Sequence, residues 1–180
     1  VVGQRRDKRM YTVRLNDITK FAQDVTAKID GKIVQCDYLE LGNPGLPHAV
    51  VLLDGDCAMT QEALRELGRK LRANSSFPKG ANVNFCRVIG ENEVEELTYE
   101  RGVEDFTLAC GTGTGSVVAA LMRRGLVSGE NTKVHVPGGE LFITLNTDPQ
   151  TEEITDIYLT GPTNIVAEGE VCDEELHVPL

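Results

Sequence analysis

The sequence predicts an α+β domain in which a mostly antiparallel sheet, or a barrel, wraps around a buried helix. Short runs of β-branched or alternating apolar residues recur along the chain between Asp, Gly and Pro, which is typical of strands. Residues 59–75 instead repeat their apolar positions at helical spacing. Residues 114–122, TGSVVAALM, are small or apolar on every side, and this pattern indicates a helix that is buried all round.

The individual elements follow from these patterns in chain order. We expect strands at residues 10–15, 32–41, 48–54, 82–89, 93–100, 132–137, 140–146 and 153–161. In the amphipathic helix at 59–75, Thr60 can cap the first turn and basic residues gather near the C-terminal end. The PGG at 137–139 predicts a hairpin connection. We find no internal repeat and no long linker, so residues 1–180 are interpreted as one domain.

The composition excludes several classes of protein. The chain has 180 residues, 41% of them hydrophobic and 26% charged, which is enough for a real core. Its net charge of -10 repels phosphate backbones and anionic membrane surfaces, so we expect no nucleic-acid or membrane partner. The apolar runs are far shorter than the ~20 residues of a membrane span. Five scattered cysteines without C-x-x-C spacing, and no signal peptide, indicate reduced thiols in a cytoplasmic protein.

The stretch FTLACGTGTGSVVAALMRRG, residues 106–125, places a thiol at the start of the predicted buried helix. Gly111, Gly113 and Gly115 carry no Cβ, so backbone N–H groups there can approach a ligand closely, and the helix dipole favours a negative charge. The same dipole is expected to lower the pKa of Cys110 from the ordinary ~8.5. The pattern therefore predicts an anion-binding site with a reactive thiol at its edge.

Other interpretations of this stretch start from the same residues. Glycines before a helix often form only a tight turn, and a cysteine in apolar company is more often part of the core. GTGTGS lacks the Lys of a phosphate-binding loop and the spacing of a dinucleotide fingerprint, so no nucleotide cofactor is expected. A Cys–His hydrolase needs a base near the thiol. The three histidines, His48, His135 and His177, lie far from Cys110 in sequence, which leaves only proximity in space open.

Three segments of the chain, taken together in their order, resemble the motifs of a known family. They read LGNPGLPHAVVL, FPKGANVNFCRV and YERGVEDFTLACGTGTGSVVAA. In this order and approximate spacing, they resemble the Gly-Asn-Pro-His segment, the Phe-Pro-x-x-x-Asn-Val-x-Phe segment and the second cysteine motif of the diaminopimelate epimerase family. The resemblance covers roughly residues 10–171 and only the second half of that family. The first half, with a partner cysteine in a Cys-Gly-Asn-Gly type motif, has no counterpart in residues 1–180.

This resemblance implies that the chain is the C-terminal domain of a two-domain amino acid epimerase, an isomerase of lysine biosynthesis. The family interconverts LL- and meso-diaminopimelate without pyridoxal, another cofactor or a metal. Two cysteines exchange the α-proton, one on each face of the α-carbon. By resemblance Cys110 is one of them, and Gly111 and Thr112 donate backbone N–H groups to the α-carboxylate. The isolated chain would then be inactive, because the N-terminal domain of the same protein supplies the second cysteine; a homodimer is left open.

The resemblance also assigns residues to the far amino acid end of diaminopimelate. Asn43, Asn82 and Arg101 match positions that hold this end, and Glu100 matches the acidic residue at its amino group. An Arg fork is suited to a carboxylate. From the residues alone, however, Glu100 and Arg101 are more typical of a solvated ion pair at a strand end, and Asn43 before a proline is ordinary turn chemistry.

Two departures from the family pattern bear on the substrate. The residues GLP separate His48 from Asn-Pro, whereas the family's His follows Pro directly, so His48 receives no site role. The loop before Cys110 is one residue longer than usual, with Glu104, Asp105 and Phe106 where Gly-Glu is expected. The added negative charge would favour a racemase for another amino acid, such as lysine or histidine. A stand-alone anion- or amino-acid-binding module without catalysis is the alternative from another class of protein.

Overall fold

The computed structural model describes residues 3–5, 10–55, 57–164 and 166–169, in which eleven strands form one sheet and two helices accompany it. The predicted α+β class is confirmed. The elements are β1 (Gly3–Arg5), β2 (Met10–Arg14), β3 (Ile18–Ile29), β4 (Lys32–Leu41), β5 (Leu46–Leu52), α1 (Gln61–Arg72), β6 (Asn82–Gly90), β7 (Glu93–Glu100), β8 (Asp105–Phe106), α2 (Gly111–Arg123), β9 (Thr132–Val136), β10 (Gly139–Thr147) and β11 (Ile154–Pro162). Cys172 and His177 lie outside the described residues.

The sheet is mixed, and its order is β1-β2-β11-β10-β9-β7-β6-β5-β4-β3, with β8 paired to β7. Among the described strands, the pairs β5–β6 and β7–β9 are parallel and the others are antiparallel. A parallel pair needs a long crossover connection. Helix α1 lies in the first crossover and α2 in the second, so the two helices occur where the chain changes from antiparallel to parallel pairing.

The sheet curls around α2. Strands β2 and β3 lie near opposite ends of the sheet, yet only residues 15–17 connect them. Within this connection Leu15 N–H donates to the carbonyl of Ile157 in β11, and Asp17 C=O accepts from Gly42 N–H beside β4. The two ends of the sheet therefore meet at this corner. Helix α2 contacts β4, β5, β6, β10 and β11, and one hydrophobic cluster surrounds it, while a second lies beneath α1.

The sequence analysis did not assign the short strands β1 and β8 or the long strand β3, which has twelve residues. Strand β3 forms one edge of the sheet, and most of its side chains are exposed or half-buried. Its register with β4 shifts between Ala22 and Val25, and Asp24 in this bulge has a φ of 54°. A bulge interrupts the alternation that identifies a strand in sequence, and an edge strand carries charges that blunt its free side. These two properties removed the signal.

An ion-pair cluster fastens the C-terminal end of α2 to the sheet. The Arg124 guanidinium donates from Nε to Asp37 Oδ2 at 2.7 Å and from Nη2 to Asp37 Oδ1 at 2.6 Å. It also donates to Asp24 at 2.7 Å, so it joins β4 to the bulge of β3. Asp37 is 3% exposed, and its carboxylate depends on this cation. The contact stabilises the helix end and the weakest edge of the sheet together.

Replacing Arg124 by alanine should lower the free energy of unfolding by about 2–4 kcal/mol, because the Asp37 carboxylate is left buried without its cation. Urea denaturation measures this. The matched control is Arg123→Ala. Arg123 is exposed and forms no ion pair within the described part of the chain, so its loss should change stability by no more than about 0.5 kcal/mol. Equal losses in the two variants would show that the cluster does not stabilise the fold.

Candidate active site at the start of helix α2

Cys110 is the N-cap residue of α2 and lies at the inner end of the loop that follows β8. Its backbone is extended, with φ -134° and ψ 102°, and its carbonyl accepts a hydrogen bond from Thr114 N–H at 2.8 Å. The sulfur lies 3.7 Å from the Thr112 hydroxyl and accepts a hydrogen bond from the Gly113 backbone. The thiol therefore lies where the sequence analysis expected it, at the first turn of a helix whose residues from Gly113 to Leu121 are buried.

The expected lowering of the Cys110 pKa is wrong. The residue is only 8% exposed, and burial raises the pKa of its thiol above the ordinary value. The hydrogen bonds from Gly113 and Thr112 oppose this effect, whereas the negative charges of Glu100 and Glu96 add to it. Desolvation acts against a thiolate more strongly than the helix start favours one. Cys110 is consequently a protonated thiol at neutral pH.

The glycines of this turn have a packing role as well as a conformational one. A Cβ on Gly113 would collide with the Asn84 amide and lie 3.2 Å from the Cys110 sulfur, and one on Gly111 would lie 2.8 Å from Leu159. The backbone N–H groups of Gly111 and Thr112 have no acceptor among the described residues. The first N–H groups of a helix lack intrahelical partners, so these two remain available to an anion.

His48 is the residue that the sequence analysis missed. It is fully buried, and its Nε2 lies 3.1 Å from the Thr112 hydroxyl although the two residues are 64 positions apart. Its Nδ1 lies 3.1 Å from Asn84 Oδ1. Burial and the nearby Arg101 charge outweigh the Asn84 hydrogen bond and lower the pKa of His48 to about 4, so the ring is neutral at pH 7. Parallel pairing of β5 with β6 sets His48 opposite Asn82, and this proximity could not be predicted from the GLPH spacing.

The predicted contacts to the distal end of a substrate lie around the ends of β6 and β7. Asn82 is buried, and its Oδ1 accepts from the Arg101 backbone N–H at 2.8 Å. The Arg101 guanidinium donates to the carbonyl of Lys79 at 2.7 Å. Glu100 and Arg101 do not pair with each other, and within the described ranges neither forms a salt bridge. Asn43 lies exposed in the turn between β4 and β5, where its side chain forms no hydrogen bond to another described residue.

The acidic residues of the longer loop form ion pairs with arginines of α1. Glu104 pairs with Arg72 at 2.7 Å and accepts from Gly102 N–H, and Asp105 pairs with Arg65. Both arginines belong to α1, and Arg72, at its C-terminal end, lies beside Gly80 together with the Arg101 side chain. Phe106 packs against the rings of Phe85 and Tyr99 in the cluster beneath α1. The negative charge that the loop was expected to add is therefore paired with arginines of the same chain.

Comparison with known proteins identifies the family of the chain. The family model for diaminopimelate epimerase matches residues 41–166, and the chain belongs to that family. It is 34% identical over 155 residues to the diaminopimelate epimerase of Aquifex aeolicus, covering 86% of this chain and 52% of that protein. It is 39% identical over 134 residues to that of Methanothrix thermoacetophila, covering 74% of this chain and 43% of that protein. It is 40% identical over 137 residues to that of Natranaerobius thermophilus, covering 76% and 43%.

The chain thus spans about half the length of the curated relatives that it matches. A Bacillus anthracis phenazine biosynthesis protein of the PhzF family is a solved structure with some similarity, at a TM-score of 0.47 and 18% identity, covering 81% of this chain and 38% of that one. Within the described residues, no helix is long and apolar enough to cross a membrane. In the same part of the chain, His, Cys, Asp and Glu residues do not form a group of three that could hold a metal ion.

The thiols should react with limiting iodoacetamide in an order set mainly by exposure. We expect Cys57, which is exposed, to react first at neutral pH and Cys110 to react next. Burial raises the pKa of Cys36 to about 12 and also raises that of Cys86, so these two should react last. Because the pKa of Cys110 is raised, its labelling should keep accelerating with pH beyond the range of a free thiol. Peptide mass spectrometry across a pH series measures both; faster labelling of Cys110 than of Cys57 would support a lowered pKa instead.

Proposed function

We propose that this chain carries one half of the active site of an amino acid epimerase and that its substrate is diaminopimelate. One observation carries the proposal: a buried thiol, Cys110, adjoins two backbone N–H groups without acceptors at the first turn of α2. An α-amino acid presents a carboxylate and an acidic α-proton on adjacent atoms. The turn offers a complementary anion site and a proton-transfer group equally close together. Membership of the diaminopimelate epimerase family supports the same reaction class.

In the proposed complex, the substrate α-carboxylate accepts hydrogen bonds from the backbone N–H groups of Gly111 and Thr112. These groups also lie at the positive end of the α2 dipole. Removal of the α-proton places negative charge on the α-carbon and its carboxylate. The same donors then stabilise the transition state more than the ground state, as a preorganised electrostatic site does. Binding and rate acceleration thus come from the same two N–H groups.

The chemical step needs an acid and a base on opposite faces of the α-carbon. A thiolate on one face removes the α-proton and becomes a thiol, which leaves a carbanion. The thiol on the other face then donates its own proton to the carbanion and becomes a thiolate, so the centre is inverted and no proton is lost. Because burial keeps Cys110 protonated, it is the proton donor in the first of these two directions. The reverse direction uses the same groups with their roles exchanged, without an organic cofactor or a metal.

His48 connects to Cys110 through Thr112 and can exchange a proton with it. Its neutral ring is joined to the Thr112 hydroxyl at 3.1 Å, and that hydroxyl lies 3.7 Å from the Cys110 sulfur. A proton leaving the thiol can be accepted by the Thr112 oxygen while the hydroxyl proton moves to the imidazole. This leaves a thiolate beside an imidazolium. Because the pKa of His48 is lowered to about 4, the imidazolium is a strong acid that readily returns the proton to the sulfur.

The distal end of the substrate fits the two charges that have no partner. We assign the distal carboxylate to the Arg101 guanidinium, positioned by its contacts to Lys79 and by the hydrogen bond of its backbone to Asn82. Glu100 takes the distal ammonium group. An arginine without a carboxylate partner and a carboxylate without a cation are complementary to a second amino acid head. We keep Asn43 as a contact at the exposed rim of this site.

The second thiol comes from a domain that lies outside residues 1–180 in our proposal. Support comes from the share of the relatives' length that the chain spans, about half, and from the positions of the other described cysteines. Cys36 and Cys86 are buried in the two hydrophobic clusters. The four described cysteines, Cys36, Cys57, Cys86 and Cys110, are all free thiols. We place the reaction in the cytoplasm, where unpaired thiols persist, and within lysine biosynthesis.

Deuterium incorporation at the α-carbon tests the proposal. The chain alone in deuterated water should not epimerise diaminopimelate, because it holds one of two proton-transfer groups. Addition of a domain carrying the second cysteine motif of the family should create turnover. Enzyme-like turnover by the chain alone would contradict the two-thiol mechanism. Saturable binding of the amino acid without exchange, even in the presence of the added domain, would instead identify a binding module.

A further inference from the structure

The Glu96 carboxylate lies inside the curled sheet, between β7 and the first turn of α2. The residue is 1% exposed and meets no lysine, arginine or histidine within salt-bridge distance in the described ranges. Its Oε1 accepts from Asn84 Nδ2 at 2.9 Å and from the Thr98 hydroxyl at 3.1 Å, and its Oε2 lies 2.7 Å from the Thr114 hydroxyl. Burial of a carboxylate without a cation is costly, so this one requires an explanation. The proposed reaction does not use it.

The first consequence of this carboxylate concerns the orientation of Asn84. The amide nitrogen of Asn84 donates to Glu96 at 2.9 Å and to the Thr98 hydroxyl at 2.8 Å, so both of its N–H groups are used. An ionised carboxylate can only accept hydrogen bonds. The NH2 of Asn84 must therefore face Glu96, and its Oδ1 must face His48.

The same orientation holds when Glu96 is protonated, which matters because burial raises the pKa of Glu96 to about 7. A proton on Oε2 can be donated to the Thr114 hydroxyl at 2.7 Å. That hydroxyl can then turn its own proton to the Cys110 carbonyl, which lies 3.0 Å away. Oε1 remains an acceptor toward Asn84 in both states. The amide is thus fixed across the pH range in which Glu96 titrates.

The second consequence concerns His48. Because Asn84 presents its oxygen, only a protonated Nδ1 on His48 can form the hydrogen bond at 3.1 Å. A neutral imidazole protonated at Nδ1 carries a lone pair on Nε2. The Thr112 hydroxyl must then donate to Nε2, which leaves the oxygen of that hydroxyl to accept from the Cys110 thiol. Each hydrogen bond between Glu96 and the Cys110 thiol therefore has a defined donor and a defined acceptor.

We propose that Glu96 is a positioning residue which, through Asn84, holds His48 in the tautomer protonated at Nδ1 and so presents a proton acceptor toward Thr112 and Cys110. Glu96 does not touch the substrate or the thiol, and it acts only through the amide and the imidazole. Its role in the reaction rests on the proposed function. The tautomer itself, however, is a property of this chain in the absence of any substrate.

Nitrogen NMR of the histidine side chains tests this inference directly on the chain, because the two ring nitrogens of a neutral imidazole give distinct signals when protonated and unprotonated. His135→Gln and His177→Gln variants identify the signals of His48. At neutral pH we expect a protonated Nδ1 and an unprotonated Nε2. If His48 of the unchanged chain is protonated mainly at Nε2, the proposal is wrong.

The decisive variant is Glu96→Gln, which keeps the shape of the side chain. A glutamine can turn either its oxygen or its NH2 toward Asn84. In the second case Asn84 turns over, its NH2 donates to Nδ1 of His48, and the proton moves to Nε2. We therefore expect a change from one tautomer to a mixture of both. The control is Glu95→Gln, at the neighbouring position on β7. The Glu95 carboxylate is 36% exposed and pairs with Arg87 at 2.7 Å, so in this variant the His48 tautomer should be the same as in the unchanged chain.

A His48 spectrum in folded Glu96→Gln that still shows only the Nδ1 tautomer would overturn the role of Glu96. Urea denaturation of each variant separates this result from a loss of folding, and the measurement on the unchanged chain stands even if Glu96→Gln does not fold. Failure of the proposed function gives a different pattern, in which the tautomer changes as expected but the two-domain protein never exchanges an α-proton. In an active protein, Glu96→Gln should lower kcat with little change in KM.

Discussion

Replacing Cys110 by serine in a protein that joins this chain to the domain with the second thiol should reduce epimerisation by about 10²- to 10⁴-fold. The serine hydroxyl keeps the shape of the site and its contact to Thr112. Its proton is far less acidic than that of a thiol, so it cannot act as either acid or base near neutral pH. The substrate should still bind, because the backbone N–H groups of Gly111 and Thr112 and the Arg101 guanidinium are unchanged.

The variant should also separate exchange from inversion. The remaining thiol can still remove and return a proton on its own face, so one stereoisomer should incorporate deuterium slowly without being inverted. Chiral chromatography combined with mass spectrometry of recovered substrate measures both quantities. Cys57→Ser is the matched control, since Cys57 is an exposed thiol and should be dispensable. Retention of full epimerisation by Cys110→Ser would show that another residue transfers the proton on this face.

The strands that were predicted from the sequence are those with a regular period. β4, β6 and β7 are found close to their expected bounds, because their β-branched and apolar residues face one of the two clusters. The edge strand β3 lacks that constraint. Its bulge at Asp24 and its exposed side chains leave no alternation to detect. Local sequence therefore identifies strands whose packing is repeated along their length and misses one whose packing is interrupted.

The site divides in a similar way. The position of Cys110 at a helix start is a local property of the ACGTGTG segment, and it was predicted. Its pKa depends on how much sheet covers the thiol, which no local pattern contains. The approach of His48 to Thr112 requires the parallel pairing of β5 with β6 across the α1 crossover. Glu96 gave no signal at all, because a Glu in EVEELTYE is indistinguishable in sequence from the solvated carboxylate of Glu95 beside it.

The contacts made by distant parts of the chain also bear on the substrates that the sequence left open. Glu104 and Asp105 suggested a preference for a basic amino acid as long as their side chains were thought to border the site. Their ion pairs with Arg72 and Arg65 neutralise both charges within the chain. What faces the distal end of a substrate in our proposal is the Arg101 guanidinium, which has no carboxylate partner among the described residues, together with Glu100. A positive and a negative group side by side fit a second amino acid head better than the single ammonium group of lysine or the ring of histidine.

The active two-domain protein should therefore prefer diaminopimelate over lysine and histidine in kcat/KM by roughly ten- to a hundredfold. A substrate without the distal carboxylate forgoes a charge-assisted hydrogen bond to the half-buried Arg101, which is worth about 1.5–3 kcal/mol. Arg101→Met should remove most of this preference by lowering kcat/KM for diaminopimelate while leaving that for lysine nearly unchanged. The matched control is Arg69→Met, which removes an exposed arginine whose partner is Glu66 on the same helix and should leave the preference intact. If lysine or histidine is the better substrate of the unchanged protein, the diaminopimelate assignment is wrong, and the exchange of a proton between two thiols stands as a mechanism for a different amino acid.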